Sequence, residues 1–200
     1  MFIELTDHLR CIADHAEQFV VLLPDRMAGR RVMAGTVGCP VCGIVVPVVD
    51  GTMDFGGPKP PASGPTNLSA DAIVTLLGLE GPGGFIAIIG TAGGLADQVS
   101  AQMPGARFVL VNPPAGVVGS ETASVVRAGR LPVKISSMRG VVVSADHGAD
   151  PAWVAAAVGA VLPGNRVVVE SALPPDDGLE VLARTDQLWV ARKPVTILRR

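Results

Sequence analysis

The stretch "GGFIAIIGTAGGLADQVSAQMPGARFVLVN", residues 83–112, restricts the possible folds more than any other part of this chain. "FIAIIG" is a continuous apolar run without alternation, the pattern of a strand buried on both faces of a parallel sheet. It stops at a glycine-rich turn. Beyond the turn, Leu95, Val99 and Met103 recur every fourth residue and form one stripe of a helix. "RFVLV" is a second buried strand, which Pro113 and Pro114 terminate. Strand, tight turn, helix and strand in succession commit the chain to a parallel sheet with helices packed on it.

The alternation continues on either side. "NLSADAIVTLLGLEG" starts at a capping residue, Asn67 or Ser69, puts Ile73, Leu76 and Leu77 on one face, and stops at glycine. "SETASVVRAG" reads as a weak helix, "LPVKIS" as a short strand and "GVVVS" as a firmer one. In "ADPAWVAAAVGAVLPG", Asp150 is the N-cap, Pro151 the first helical residue, and Pro163-Gly164 the stop. "RVVVES" is another strand, and two runs around "TDQ" suggest a closing hairpin. The expected class is α/β: a doubly wound, mostly parallel sheet with a terminal antiparallel hairpin, preceded by a small zinc-ribbon-like β domain. The expected divisions are residues 1–56, a proline-rich connector at 57–66 ("GPKPPASGPT"), and residues 67–200.

Gly90-Thr91-Ala92-Gly93-Gly94 joins a strand to a helix. Glycine there permits a sharp turn and close approach of a ligand, with the N–H groups of the helix's first turn facing it. A GxGxxG dinucleotide pattern needs glycine at 92 and 95, where Ala92 and Leu95 stand, so NAD is disfavoured. The plain alternative is a tight connection that binds nothing.

The order of these elements resembles the class I S-adenosylmethionine-dependent methyltransferase family. "IIGTAGG" occupies that family's first motif, "FVLVN" its second, and "GVVVSADHGAD" its fourth-strand region. "VGAVLPGNRVVVE" matches its post-helix signature, with Asn165 for a glycine, and "LWVARKP" its closing strand. The resemblance implies that Gly90, Thr91, Ala92, Gly93 and Gly94 hold the cofactor's methionine part and that Asn112 meets the ribose. Both acids common in the family are absent: Ile88 and Asn112 stand in their places. Exchanging a charge-assisted hydrogen bond for a neutral one weakens binding by about tenfold or more. "NPP" at 112–114 follows the second strand and not the fourth, so it reads as a strand stop.

Ser144, Asp146 and His147 lie just past "GVVV", at the carboxyl edge where such sheets bind ligands. Asp146 and His147 are the catalytic candidates, with His147 as general base toward an acceptor and Asp146 orienting it. Ser144 and Ser136 are candidate cofactor contacts, Ser136 toward an adenine ring. The bland reading of "SADHGADP" is a polar loop entering a helix. Any enzymatic reading requires the main-chain amides around Thr91 to face a cavity.

Cys39-Pro-Val-Cys42-Gly is a knuckle whose two-residue gap lets both thiolates reach one zinc ion. Cys11 is the third candidate ligand, and Asp14 or His15 the fourth; His8 either competes or lies on a short helix facing solvent. "LRCIAD" and "CPVCGIVVPVVDGTMDF" are similar to the small zinc-ribbon family that includes the activator subunit of tRNA and protein methyltransferases. Ile12 and Asp14 stand where that family has Pro and Cys. Buried thiols without metal are the alternative.

The net charge of −2 and the absence of Tyr give no case for nucleic acid or an anionic membrane surface. No apolar run reaches the ~18 residues a spanning helix needs, and "MFIELTDHLRC" lacks signal-peptide character, so a cytoplasmic protein is expected. Three functions follow. The first is a small S-adenosylmethionine-dependent methyltransferase acting on an unidentified small-molecule or protein acceptor. The second is a catalytically silent scaffold of the same fold, dimeric through a truncated sheet. The third is a binder of another nucleotide.

Overall fold

The structure is a computed structural model and describes residues 1–57 and 66–195. The expected connector lies outside the described residues, except for its ends at Gly57 and Thr66. Eleven strands among the described residues form one sheet. They are β1 (Val21–Ala28), β2 (Arg31–Gly38), β3 (Val45–Val49), β4 (Thr52–Asp54), β5 (Phe85–Ile89), β6 (Arg107–Val111), β7 (Ala123–Arg127), β8 (Met138–Val143), β9 (Val161–Val169), β10 (Glu180–Arg184) and β11 (Trp189–Arg192). The order across the sheet is β1-β2-β3-β4-β7-β6-β5-β8-β9-β11-β10. The middle, from β4 to β9, is parallel, and both ends are antiparallel.

The N-terminal meander therefore does not stand apart from the parallel strands. Thr52, Met53 and Asp54 pair in parallel with Val125, Val126 and Arg127, which carries one sheet through both parts of the chain. At the centre, β5 pairs with β6 on one side and β8 on the other. Strand order reverses there, and the crevice beyond the carboxyl ends of β5, β6 and β8 is the place where open α/β sheets bind ligands.

Two layers cover the sheet. On one face α1 (Ala70–Leu77) and α2 (Ala96–Gln102) bury Ile73, Leu77 and Val99 against Ile86, Ile88, Phe108 and Leu110. The serine hydroxyl of Ser69 caps α1 by accepting from Ala72 N at 3.1 Å, and Gly78 closes it in the left-handed conformation. On the other face α4 (Pro151–Ala160) covers only part, and Met1, Phe2, Leu5 and Leu9 cover the rest, packed with Ala87, Ile89, Val109 and Val111. The expected helical cover is thus replaced over part of one face by the chain's first nine residues.

That replacement follows from two corrections to the sequence reading. "SETASVVRAG" is not a helix; its β-branched Val125 and Val126 lie in β7, and Phe2 N donates to Ser124 Oγ at 2.9 Å. "LPVKIS" is a loop with a single bridge, Leu9 to Val133. Neither connection from β6 to β8 supplies a long helix. Pro163-Gly164 also does not stop α4, which ends at Ala160, and lies inside β9 next to an irregularity opposite Met138 and Gly140. The closing hairpin forms as expected. No helix among the described residues is long and apolar enough to cross a membrane.

Candidate functional site

The loop after β5 turns at Gly90 with φ 82° and ψ −148°, a region that only glycine enters without strain. Thr91–Leu95 form a 3-10 turn that runs into α2. The N–H groups of Thr91 and Ala92 do not face a cavity, so the opening that an enzymatic reading requires at this turn is closed here by the protein's own side chains. Ala92 N donates to Ser144 Oγ at 2.7 Å, and the Ser144 hydroxyl donates in turn to Ile89 O at 2.9 Å. Thr91 N and Thr91 Oγ1 both donate to Asp146 Oδ1, at 3.2 and 3.3 Å. Pro113 packs on the turn so closely that a Cβ on Gly93 would sit 2.9 Å from its ring.

A chain of polar contacts extends from there. Asp146 Oδ2 lies 3.0 Å from His147 Nδ1, and His147 Nε2 lies 3.2 Å from Asn112 Nδ2. Asn112 adopts a left-handed φ of 51°, which asparagine tolerates better than most residues. Its side chain exchanges two hydrogen bonds with Ala128: Nδ2 donates to the carbonyl at 2.8 Å, and Oδ1 accepts from the N–H at 2.9 Å. These two bonds fix the orientation of the amide, so its second Nδ2 hydrogen points at His147. His147 Nε2 accepts, and the ring proton sits on Nδ1 facing Asp146. Trp153 holds the imidazole edge-on, with ring centroids 4.6 Å apart. Burial raises the pKa of Asp146, but bonds from His147 and Thr91 outweigh it and hold the carboxyl below its ordinary range.

The switch-point crevice is thus filled by the protein's own groups: Thr91, Ala92 and Asn112 are 4%, 0% and 2% exposed. Gly93 is buried and Gly94 exposed. Ile88 is core. The structure brings Gly90, Thr91, Ala92, Asn112, Ser144, Asp146 and His147 together. Ser136 is elsewhere. It precedes β8, at the opposite end of the sheet, and accepts from Lys193 Nζ at 3.0 Å. One open hollow, about 480 Å³, is lined by Gly93 and Gly94 of the turn itself with Asp97, Gly116 and Ser120. Another, about 440 Å³, lies past the ends of β8 and β9 and is lined by Asn67, Ala145, Glu170, Ser171 and Gln187. Glu170 is buried and accepts from Thr66 Oγ1, Asn67 N and Ala145 N, tying the entry to α1 onto this edge. Sequence reasoning missed Ala128, Trp153 and Glu170. The Asp-Pro cap brings Trp153 close to His147 in sequence, which was a usable signal; no sequence signal marks the other two.

At the other site, Cys11, His15, Cys39 and Cys42 each offer a ligand atom, all within 4.8 Å of one another. The knuckle turns at Gly43 (φ 73°), whose N–H donates to Cys39 O at 3.0 Å. Cys11 Sγ lies 3.6 Å from Cys42 Sγ, and Cys39 Sγ 3.5 Å from His15 Nε2. A tetrahedral zinc ion, with Zn–S of about 2.3 Å and Zn–N of about 2.0–2.1 Å, has S···S edges of about 3.8 Å and S···N edges of about 3.5 Å. The donor set and its spacing fit zinc. Asp14 lies outside this cluster. So does His8, which is half-buried and not solvent-facing, with its ring 4.8 Å from that of Phe85. Burial pushes Cys11 up to about 11; for Cys39 the N–H groups of Cys42 and Val41 outweigh burial and bring it down to about 6.

No family model matches the sequence, and no curated protein matches it. Among solved structures, the chain is similar to part of the complex between the Trm112 methyltransferase activator of Haloferax volcanii and its candidate methyltransferase, at 13% identity over 66% of this chain and 90% of that one, with a TM-score of 0.49. It is similar to a candidate methyltransferase of an antibiotic biosynthesis pathway from Anabaena variabilis, at 21% identity over 50% of this chain and 42% of that one, with a TM-score of 0.41. It is also similar to phosphoethanolamine N-methyltransferase 2 of Haemonchus contortus in complex with S-adenosyl-L-methionine, at 17% identity over 54% of this chain and 30% of that one, with a TM-score of 0.41. The chain spans less than half the length of the Anabaena and Haemonchus structures.

Proposed function

We propose that this protein is a small S-adenosylmethionine-dependent methyltransferase whose cofactor crevice is latched by its own side chains. One observation carries the proposal: at the topological switch point, the glycine turn already binds a carboxylate, that of Asp146, through Thr91 N and Oγ1. A ligand with a carboxylate, such as the methionine end of the cofactor, would compete for the same donors. Gly90–Gly94 would hold that end. S-adenosylmethionine would supply an electrophilic methyl group when bound. Once displaced from Thr91, Asp146 still orients His147 through Nδ1, and Nε2 would serve as the base for an acceptor proton when the acceptor takes the place of Asn112 Nδ2 on it. The hollow beside Ala145 and Glu170 is where we place the acceptor.

A second reading, a catalytically silent scaffold, is favoured by Asn112. Both of its polar atoms are committed to Ala128, so the residue expected at the ribose is satisfied without one. Calorimetric titration with S-adenosylmethionine and S-adenosylhomocysteine separates the two. The methyltransferase reading expects weak binding to the wild type and binding about tenfold or more tighter to Asp146→Ala, which lacks the latch. No heat from either protein at millimolar ligand leaves the scaffold.

We also propose that Cys11, His15, Cys39 and Cys42 hold a structural zinc ion in a ribbon unit spanning residues 1–56. Four protein donors leave no open position for catalysis. Three cysteines without a disulfide among them fit a cytoplasmic setting.

A further inference from the structure

We propose that the hollow past the ends of β8 and β9 is built for a cationic amine, and that the methyl acceptor is therefore an amine. The binding chemistry is argued from the hollow alone. Only its role in methyl transfer rests on the function proposed above.

The hollow holds one charged side chain, Glu170, and no Lys, Arg or His lines it. Glu170 is 2% exposed and makes no ion pair among the described residues. Its donors are all neutral. Thr66 Oγ1 at 2.8 Å and Ala145 N at 3.3 Å donate to Oε2, and Asn67 N at 2.7 Å donates to Oε1. A carboxylate offers about four lone-pair sites, so one on Oε1 has no donor among the described residues. Removing a carboxylate from water without a cation carries a desolvation cost, which a paired ammonium offsets.

The rest of the wall suits such a group. The side-chain amides of Asn67 and Gln187 also line the hollow, and neither makes a hydrogen bond among the described residues. An ammonium has three N–H donors and no acceptor, which one carboxylate oxygen and two amide oxygens satisfy. A carboxylate or phosphate ligand would instead meet Glu170 as a like charge. Ala149, Ala172 and Leu173 supply an apolar flank for a carbon stem.

Amide NMR on the full chain with three probes of one length, butylamine, butanol and butyrate, tests the chemistry. Butylamine is expected to give saturable shifts at Ala145, Ser171 and the Gln187 side-chain NH2, binding about tenfold or more tighter than butanol. Butyrate is expected to give none. Glu170→Gln is expected to bring butylamine down to the butanol level. That change also weakens the tie to α1, so Ala149→Phe gives a second check: from its exposed position it fills the hollow and is expected to abolish the shifts. Butyrate binding as well as butylamine overturns the proposal. So does silence at all three reporters at tens of millimolar probe, or butylamine shifts that survive Ala149→Phe. S-adenosylhomocysteine reports on other amides, those of Thr91 and Ala92, so the two readings fail separately. Silence there with butylamine bound would sink the role in methyl transfer and keep the amine site.

Discussion

Asn112 shows how one residue type can answer two questions differently. In the sequence it stands where an acid commonly binds ribose; in the fold it is a buried strut between two strand ends. Asn112→Asp removes both donors, toward Ala128 O and His147 Nε2, and leaves those acceptors unpaired. The expected loss is about 1–3 kcal/mol in urea unfolding; an unchanged midpoint would contradict the strut. Asp146 sets a pH dependence. Its carboxyl is held below the ordinary value in the folded protein, so its stabilising contribution is present above about pH 4 and lost as pH falls through the folded value. Asp146→Asn is therefore expected to flatten the acid limb of the stability curve, read as midpoint against pH. The candidate residues at this site were legible because strand ends converge at a switch point. Their partners were not, since Ala128 acts through its backbone, which no side chain advertises.

The elements were legible in proportion to their periodicity. β5, α2 and β6 carry unambiguous patterns and sit where the sequence puts them. β7 was misread because the five residues Ala-Ser-Val-Val-Arg are too short for a period to emerge, and burial on both faces suppresses alternation. The helical turn α3 (Ala145–Gly148) depends on a glycine for a reason sequence alone does not give. A Cβ on Gly148 would lie 2.0 Å from the carbonyl oxygen of Glu170. Because the clash is with backbone at the end of β9, Gly148→Ala is expected to cost about 3 kcal/mol or more. Differential scanning calorimetry reads the fall in Tm; a wild-type value would show that the edge of β8 and β9 yields freely.

At the scale of the whole molecule, the division expected after residue 56 becomes a seam inside one sheet. The parallel pairing of β4 with β7 and a shared apolar cluster, from Phe2, Leu9 and Met53 to Ile89 and Val143, join the two parts. Composition marked the connector but carried no record of long-range pairing. One continuous sheet predicts one cooperative unfolding transition. Zinc is expected at one ion per chain, and its removal by a chelator is expected to lower that single transition as a whole. Two separate transitions, with only one sensitive to the chelator, would mean that the seam does not transmit stability. The central claim is that an adenosyl ligand displaces Asp146 from the glycine turn. Amide NMR with S-adenosylhomocysteine tests it most directly: the account predicts saturable shifts at the Thr91 and Ala92 amides and the Asn112 side-chain NH2. Unmoved resonances at those three positions at millimolar ligand would contradict it.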